Sequence, residues 1–349
     1  MTPRAHGPGD GTRVLYVGGT GAISRACVEE SLRSGHEVWT LTRGRMQLRD
    51  PVEGAVHRTA DVADPASVRA ALGDERFDAV VDFVGFTPDD AARAVELFGD
   101  RTAQYVYIST VSVYDRTACR LPLTEAAPRR NPWAAYSRDK LAAEDVLLGA
   151  WREHGFPVTL VRPSHTYDEG KPPLPGGWTE IDRMVRGDAV VVPGDGTSLW
   201  TLTHAADLAV GLVGLLGDAR TVGEAFHITS DEVLTWDQIY RLLADAAGVQ
   251  PRLVHLPGDM LQLAAPDWRW TPLILGDLRF STLLDTSKIR RYVPTYRPRT
   301  TWVEGARRIL RWRRDHPGNC RPDPAVDAVL DRLVDAHRRA AEVYRSVAP

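Results

Sequence analysis

Within NPWAAYSRDKLAAEDVLL, residues 131–148, a tyrosine, Tyr136, stands four residues before a lysine, Lys140. The chain holds three lysines, Lys140, Lys171 and Lys288, against forty arginines. Ten tyrosines and three lysines scattered at random over 349 residues would give roughly 0.09 such pairs. On a helix, positions four apart share a face. An ammonium beside a phenol favours the phenolate, so the pair fits a general base that works near neutral pH. The plainer alternative is a surface aromatic beside a solvated lysine.

A second stretch, GGTGAIS at 18–24, follows the short apolar run RVLYVG and precedes a helical pattern. Gly18 permits a tight turn. Gly21 lets backbone N–H groups approach a pyrophosphate at the helix N-terminus, where Ala22 and Ile23 follow. Ser24 sits where a third small residue must pack against the strand. A strand, a glycine loop and a helix in this order predict a dinucleotide site; the alternative is a glycine-rich turn without a ligand. An oxidised nicotinamide near Tyr136 would add positive charge to that of Lys140.

The cofactor type depends on the end of the second strand. An acidic residue there suits a ribose 2′-hydroxyl, whereas an arginine suits a 2′-phosphate. The residues are Thr42 and Arg43, with Arg45 beyond, which leans toward NADP over NAD. Asp61 and Val62 follow the third strand region, where a carboxylate can meet an adenine amino group or simply cap a helix.

These groups need a frame to position them. Short apolar strands are predicted at 13–18, 36–42, 77–86, 104–114 and 156–164, alternating with helices that include 87–99. Asp64 is a candidate N-cap for a short helix within 61–72. Such alternation predicts an α/β, Rossmann-type, doubly wound parallel sheet. The dinucleotide-binding domain is expected over 13–165, with its sheet completed by later segments. A smaller α/β substrate-binding region is expected over 166–320, and a C-terminal helix over 321–349. Residues 1–12 read as a disordered tail without a signal peptide. Residues 189–216 contain a hairpin-like run, LTWDQIYRLLADAAG (234–248) is an amphipathic helix closed by Gly248, and 251–300 reads as irregular.

Composition is that of a soluble globular chain, 43% hydrophobic and 26% charged. A net charge of −3 gives no broad field for nucleic acid or an anionic membrane. No apolar run is long enough to span a bilayer. Three well-separated cysteines argue against a metal or disulfide framework. A cytoplasmic location is expected.

Taken together, GGTGAIS, YISTVSVY before the YxxxK helix and VRPSHTY after it resemble the extended short-chain dehydrogenase/reductases, the branch with sugar-nucleotide epimerases and dehydratases. The resemblance covers about residues 13–310. It implies that Thr110 orients the substrate oxygen while Tyr136 takes the proton, with Ser112 a nearby alternative. It implies that Lys140 also holds the nicotinamide ribose, and that Phe83, Val84, Pro163 and His165 line the cofactor site. Dehydratases of this branch carry Asp-Glu just after that threonine; Val111 and Ser112 stand here, which counts against dehydration.

The segment GDGTSLWTLTHAADLA, 194–209, resembles a family segment whose arginine pairs with a nucleotide diphosphate. Trp200 and Thr201 occupy those places, and an indole cannot replace a bidentate guanidinium. Either Arg279 or Arg290 takes the diphosphate, or the substrate is a glycoside, free sugar or aminocyclitol on whose ring Trp200 could stack. His165, Tyr167, Asp168 and Glu169 follow the sixth strand region at the rim that binds ligands in open sheets, while His204 and Asp207 match positions that look structural.

The expected activity is NAD(P)-dependent epimerisation at a secondary hydroxyl of a sugar-like substrate through a transient ketone. The alternatives are a reductase or dehydrogenase that releases its cofactor, and a non-catalytic dinucleotide- or RNA-binding module. By analogy with extended members, helices at 87–99 and 137–154 would pair across a two-fold in a homodimer.

Overall fold

A computed structural model describes residues 11–44 and 51–347. Along the chain the first half runs β1 (Arg13–Val17), α1 (Ala22–Arg33), β2 (Glu37–Thr42), β3 (Val56–Thr59), α2 (Pro65–Leu72), β4 (Phe77–Asp82), α3 (Pro88–Phe98), β5 (Thr102–Ile108), α4 (Ala135–His154) and β6 (Val158–Pro163). The second half adds β7 (His165–Tyr167), α5 (Trp178–Arg186), β8 (Ala189–Pro193), β9 (Leu199–Trp200), β10 (Leu202–His204), α6 (Ala205–Val213), β11 (Ala225–Ile228), β12 (Leu234–Thr235), α7 (Trp236–Ala247), β13 (Arg252–Leu256) and α8 (Gly258–Ala264). A π-helical turn at Ile274–Leu278 follows, and the long helices Trp302–Asp315 and Pro324–Ser346 close the chain.

Seven strands form one parallel sheet in the order β11-β6-β5-β4-β1-β2-β3. Its strands read as nearly continuous apolar runs because helices cover both faces. α1 and α6 pack on one face, and α2, α3 and α4 on the other. β11, from residue 225 onward, lies at the edge of the sheet beside β6.

Local chemistry sets the helix ends. Asp64 accepts from the Ala66 amide at 3.0 Å, and Thr87 and Asp90 form a reciprocal capping box at the start of α3. α7 ends at Gly248, whose φ of +72° is left-handed.

Three predicted spans are corrected. The 104–114 strand ends at Ile108, and Val111–Val113 is a single 3-10 turn because the Thr110 hydroxyl caps it instead of letting the chain stay extended. The hairpin within 189–216 does not form: β8 pairs in parallel with β13, and β9 pairs antiparallel with β12. The 251–300 stretch is not irregular, since β13, α8 and the π-helical turn lie in it. These elements share a second core with Trp200, Trp236 and Trp302 that the helix Pro324–Ser346 joins through Leu330 and Leu333. Among the described residues no helix is long and apolar enough to cross a membrane.

Candidate active site

The glycine loop is shaped by close approach. Gly18 has φ +87°, and a Cβ there would lie 2.4 Å from Val84 Cγ1. A Cβ on Gly19 would lie 2.8 Å from Thr40 Cγ2. Ser24 does more than pack: its hydroxyl donates to the Gly18 carbonyl at 2.6 Å and accepts from the Gly21 amide at 2.8 Å. The loop is thereby pinned from within, and no side chain caps α1 at Gly21, ahead of Ala22 and Ile23. A helix N-terminus presented as bare backbone suits a pyrophosphate.

Around it lie Phe83, whose ring stacks on Tyr16 at 6.2 Å, Val84, and the end of β2 with Thr42 and exposed Arg43. Arg45 falls outside the described residues. The Thr42 carbonyl accepts from the Ala60 amide at 3.0 Å, which keeps Asp61 beside that strand end. Asp61 Oδ1 accepts from the Ala63 amide at 3.1 Å and so caps its own turn, while Val62 packs on the core beneath α2 and α3. These residues fit NAD or NADP at the C-terminal ends of the parallel strands.

The Lys140 side chain is buried and donates to two carbonyls, Gly85 and Ile108, at 2.7 Å each. It thus joins the loop after β4 to the end of β5, the two edges between which a nicotinamide ribose would lie. Burial lowers its pKa to about 8 against the raising influence of Asp82, Glu144 and Asp90. The phenol of Tyr136 behaves differently from the sequence-based expectation. Burial of its hydroxyl end holds it above the usual tyrosine range, the hydrogen bond with Thr110 lowers it, and the charge of Asp277 raises it. Lys140 is not among the groups that lower it. The ring itself is 39% exposed and lies 6.4 Å from that of Phe86.

Thr110 and Tyr136 are held in place by buried links. Tyr114, at the end of the 3-10 turn, lies 2.6 Å from His227 Nε2 and accepts from Arg162 at 2.9 Å. Arg162 in turn makes two bonds to Glu144 of α4, at 2.8 and 2.7 Å. Strand, turn and helix form one connected network. Asp82, which sequence reasoning missed, accepts from the amides of Val84 and Gly85 at 2.8 and 2.9 Å and from the Tyr105 hydroxyl at 2.5 Å. It shapes the loop that presents the Gly85 carbonyl to Lys140. Its one sequence signal is an acid closing an apolar strand.

On the substrate side two expectations are corrected. Ser112 is buried, and its hydroxyl lies 2.9 Å from that of Ser137, so it braces α4 and has no free face for a substrate. Trp200 is 2% exposed and stacks on Trp236 at 5.4 Å, so no open indole face awaits a sugar ring. Its N–H points instead at His165 Nδ1, 3.3 Å away.

His165 begins β7, beyond Pro163 at the buried end of β6. It stacks on Trp270 at 6.2 Å, and burial lowers its pKa to about 4. A neutral imidazole whose Nδ1 accepts an indole N–H carries its own proton on Nε2. The tryptophan cage therefore holds a hydrogen-bond donor just beyond the C-terminal end of β6.

Arg279 and the GDG segment do come together. They line an open depression of about 510 Å³ with Ser198, His255 and Gly258. The Arg279 guanidinium lies over Trp133 and Phe280, and its Nη1 reaches Asp259 at 3.2 Å. Arg290 is committed to Asp231. His204 caps α6 and meets Glu169 at 3.2 Å, and Asp207 accepts from the Arg299 and Thr300 amides, so both hold structure.

A family model for the NAD dependent epimerase/dehydratase family matches residues 14–229. The chain is similar to 2'-dehydrokanamycin reductase of Streptomyces kanamyceticus, 27% identical over 295 residues, which covers 83% of this chain and 81% of the relative. It is also similar to the chloroplast stem-loop binding protein of 41 kDa b of Arabidopsis thaliana, 26% identical over 70% of this chain and 65% of that one. Among solved structures, the epimerase Mth375 of Methanothermobacter thermautotrophicus superposes with a TM-score of 0.73 at 17% identity, over 89% of this chain and 94% of that one. That last likeness is one of fold.

Proposed function

The chain belongs to the NAD dependent epimerase/dehydratase family and is an NAD(P)-dependent enzyme, and we propose that it interconverts a secondary alcohol and a ketone on a sugar-like ring that carries no nucleotide diphosphate. The carrying observation is Trp200. It stands where the resembling family segment carries its arginine, it is buried in the core, and it turns its N–H to a neutral His165. The similarity to 2'-dehydrokanamycin reductase supports a glycosidic or aminocyclitol substrate.

Bound at the glycine loop, the dinucleotide supplies or accepts the hydride. The protein's residues handle the proton and the geometry. Thr110 holds the reacting oxygen beside the Tyr136 hydroxyl. In the reductive direction Tyr136 gives that oxygen its proton, and in the oxidative direction it removes it. A phenol held above its usual range suits the donor role. Lys140 fixes the ribose side of the site through the Gly85 and Ile108 carbonyls. Net reduction is favoured over epimerisation by the reductase relative; epimerisation requires a cofactor that stays bound.

The test combines two measurements. The dinucleotide released by heat from fresh protein is identified by mass and counted per chain. A keto-cyclitol and a methyl keto-glycoside are then offered with NADH or NADPH. Reversible binding of dinucleotide with turnover of either ketone supports reduction. One tightly held dinucleotide per chain, with interconversion of epimeric alcohols, moves the reading to epimerase. In Tyr136→Phe turnover falls about a thousandfold with dinucleotide affinity kept; unchanged turnover sinks the role of Tyr136. An RNA stem-loop bound more tightly than the dinucleotide would favour the binding-module alternative. The same reading carries a homodimer through α3 and α4, which light scattering at micromolar concentration checks.

A further inference from the structure

The π-helical turn Ile274–Leu278 lies far along the chain from the reacting groups, yet it touches both elements that carry them. Its Asp277 accepts from Arg116 through Nε at 2.8 Å and through Nη2 at 2.5 Å, and the two side chains are 7% and 2% exposed. Arg116 also donates to the Val111 carbonyl at 3.1 Å, in the 3-10 turn that begins at Thr110. The neighbouring Gly276 carbonyl accepts from Asn131 Nδ2 at 3.3 Å, and the same amide donates to the Ser112 carbonyl at 2.9 Å. Asn131 Oδ1 accepts from the amides of Trp133 and Ala134, at the start of the helix that carries Tyr136. A Cβ on Gly276 would lie 2.6 Å from Asn131 Oδ1 and 3.0 Å from Trp133 Cβ. π-helical turns are uncommon and concentrate at functional sites.

We propose that this turn is a clamp that sets the alignment of Thr110 with Tyr136, and that Asp277 and Gly276 are its positioning residues. Two routes run through it. One goes from Asp277 by way of Arg116 to the threonine turn. The other goes from Gly276 by way of Asn131 to the N-terminus of α4. Neither route touches the glycine loop, so the clamp acts on chemistry and not on dinucleotide binding. The charged group that acts on the Tyr136 phenol is Asp277, which is paired with Arg116; Lys140 stands one turn on in the same helix. The clamp therefore also fixes which charge stands beside the phenol. The inference rests on Tyr136 being the acid/base.

The experiment uses full-length protein loaded with NAD or NADP, whichever it retains, and tyrosine isotopically labelled at Cζ. The Tyr136 resonance is assigned by its loss in Tyr136→Phe and followed against pH. In Asp277→Asn the negative charge that raises the phenol is gone, so the Tyr136 midpoint falls by about one pH unit. Reduction of a keto-cyclitol falls at least about tenfold while dinucleotide affinity is kept. In Gly276→Ala turnover falls by a similar factor through displacement of Asn131. The double variant Arg116→Gln with Asp277→Asn replaces the ion pair by a neutral one and shows the same fall in midpoint, because the Asp277 charge is absent; it serves if the single variant fails to fold. A Tyr136 midpoint and a turnover in Asp277→Asn and Gly276→Ala that match the parent overturn the clamp. Retained turnover in Tyr136→Phe would instead remove the acid/base reading, and the resonance shifts would stand without it.

Discussion

Two glutamates, Glu144 and Glu180, are both fully buried, and the two regions of the molecule treat them in opposite ways. Glu144 belongs to α4 in the dinucleotide-binding part. Burial alone would raise its pKa, but Arg162 and Arg129, with Ser109, hold it below the usual carboxylate range. Glu180 belongs to α5 in the tryptophan-rich part. Burial pushes it up to about 8, and the Tyr240 hydroxyl 3.1 Å away is its main polar partner. The first region spends buried charge on tying strand, turn and helix together around Thr110 and Tyr136. The second is an apolar core, rich in tryptophan, that raises the pKa of a buried carboxyl.

The largest expected effect breaks the charged side of this comparison. Glu144→Gln leaves the Arg162 guanidinium, itself 3% exposed, without its carboxylate. Loss of one partner of such a pair costs about 3 kcal/mol, measurable by chemical denaturation. A loss near zero would mean that the network does not hold α4.

Glu180 sharpens the other side through pH. Its folded pKa lies above its unfolded value, so its stabilising proton is fully present below about pH 4.5 and stability is lost as pH rises toward 8. The slope cannot exceed about 1.4 kcal/mol per pH unit. Glu180→Gln flattens stability over that window. Glu144 has the reverse sign, its contribution being present above the unfolded pKa and lost on acidification. Parallel slopes for the two glutamine variants would erase the contrast.

Two smaller effects follow. Arg43→Ala lowers any preference for NADP over NAD about tenfold, or about 1.4 kcal/mol; an unchanged ratio means that Arg43 is merely solvated. Trp200→Phe removes the N–H that His165 accepts, which costs about 1 kcal/mol. KM for a keto-cyclitol then rises roughly fivefold with dinucleotide affinity unchanged. Equal loss of both would place Trp200 in general packing instead of substrate orientation.

The dinucleotide region was legible because its signals are local. A glycine loop between a strand and a helix, and a Tyr and Lys four apart, lie within single stretches of sequence. The roles given to Ser112 and Trp200 were not legible. A serine beside a threonine and a tryptophan after a GDG segment look the same in sequence whether they face a substrate or a core. Ser137, Trp236 and His165 decide the matter, and only folding brings them there. The irregular reading of 251–300 failed for a similar reason. The π-helical turn is stabilised by Arg116 and Asn131, well over a hundred positions earlier, and not by its own propensity.

By itself the sequence determined the parallel α/β frame and the glycine loop between its first strand and helix, and it placed Tyr136 and Lys140 four apart on one helix; the role proposed for Thr110 came from the family resemblance. Periodicity, glycine placement and i to i+4 spacing act over a few residues and survive without tertiary context. The tertiary structure decided how these groups are charged and what holds them. Lys140 is committed to two carbonyls, and the Tyr136 phenol is held high by burial and by Asp277. Both follow from desolvation and from charges distant in sequence, which no local pattern encodes.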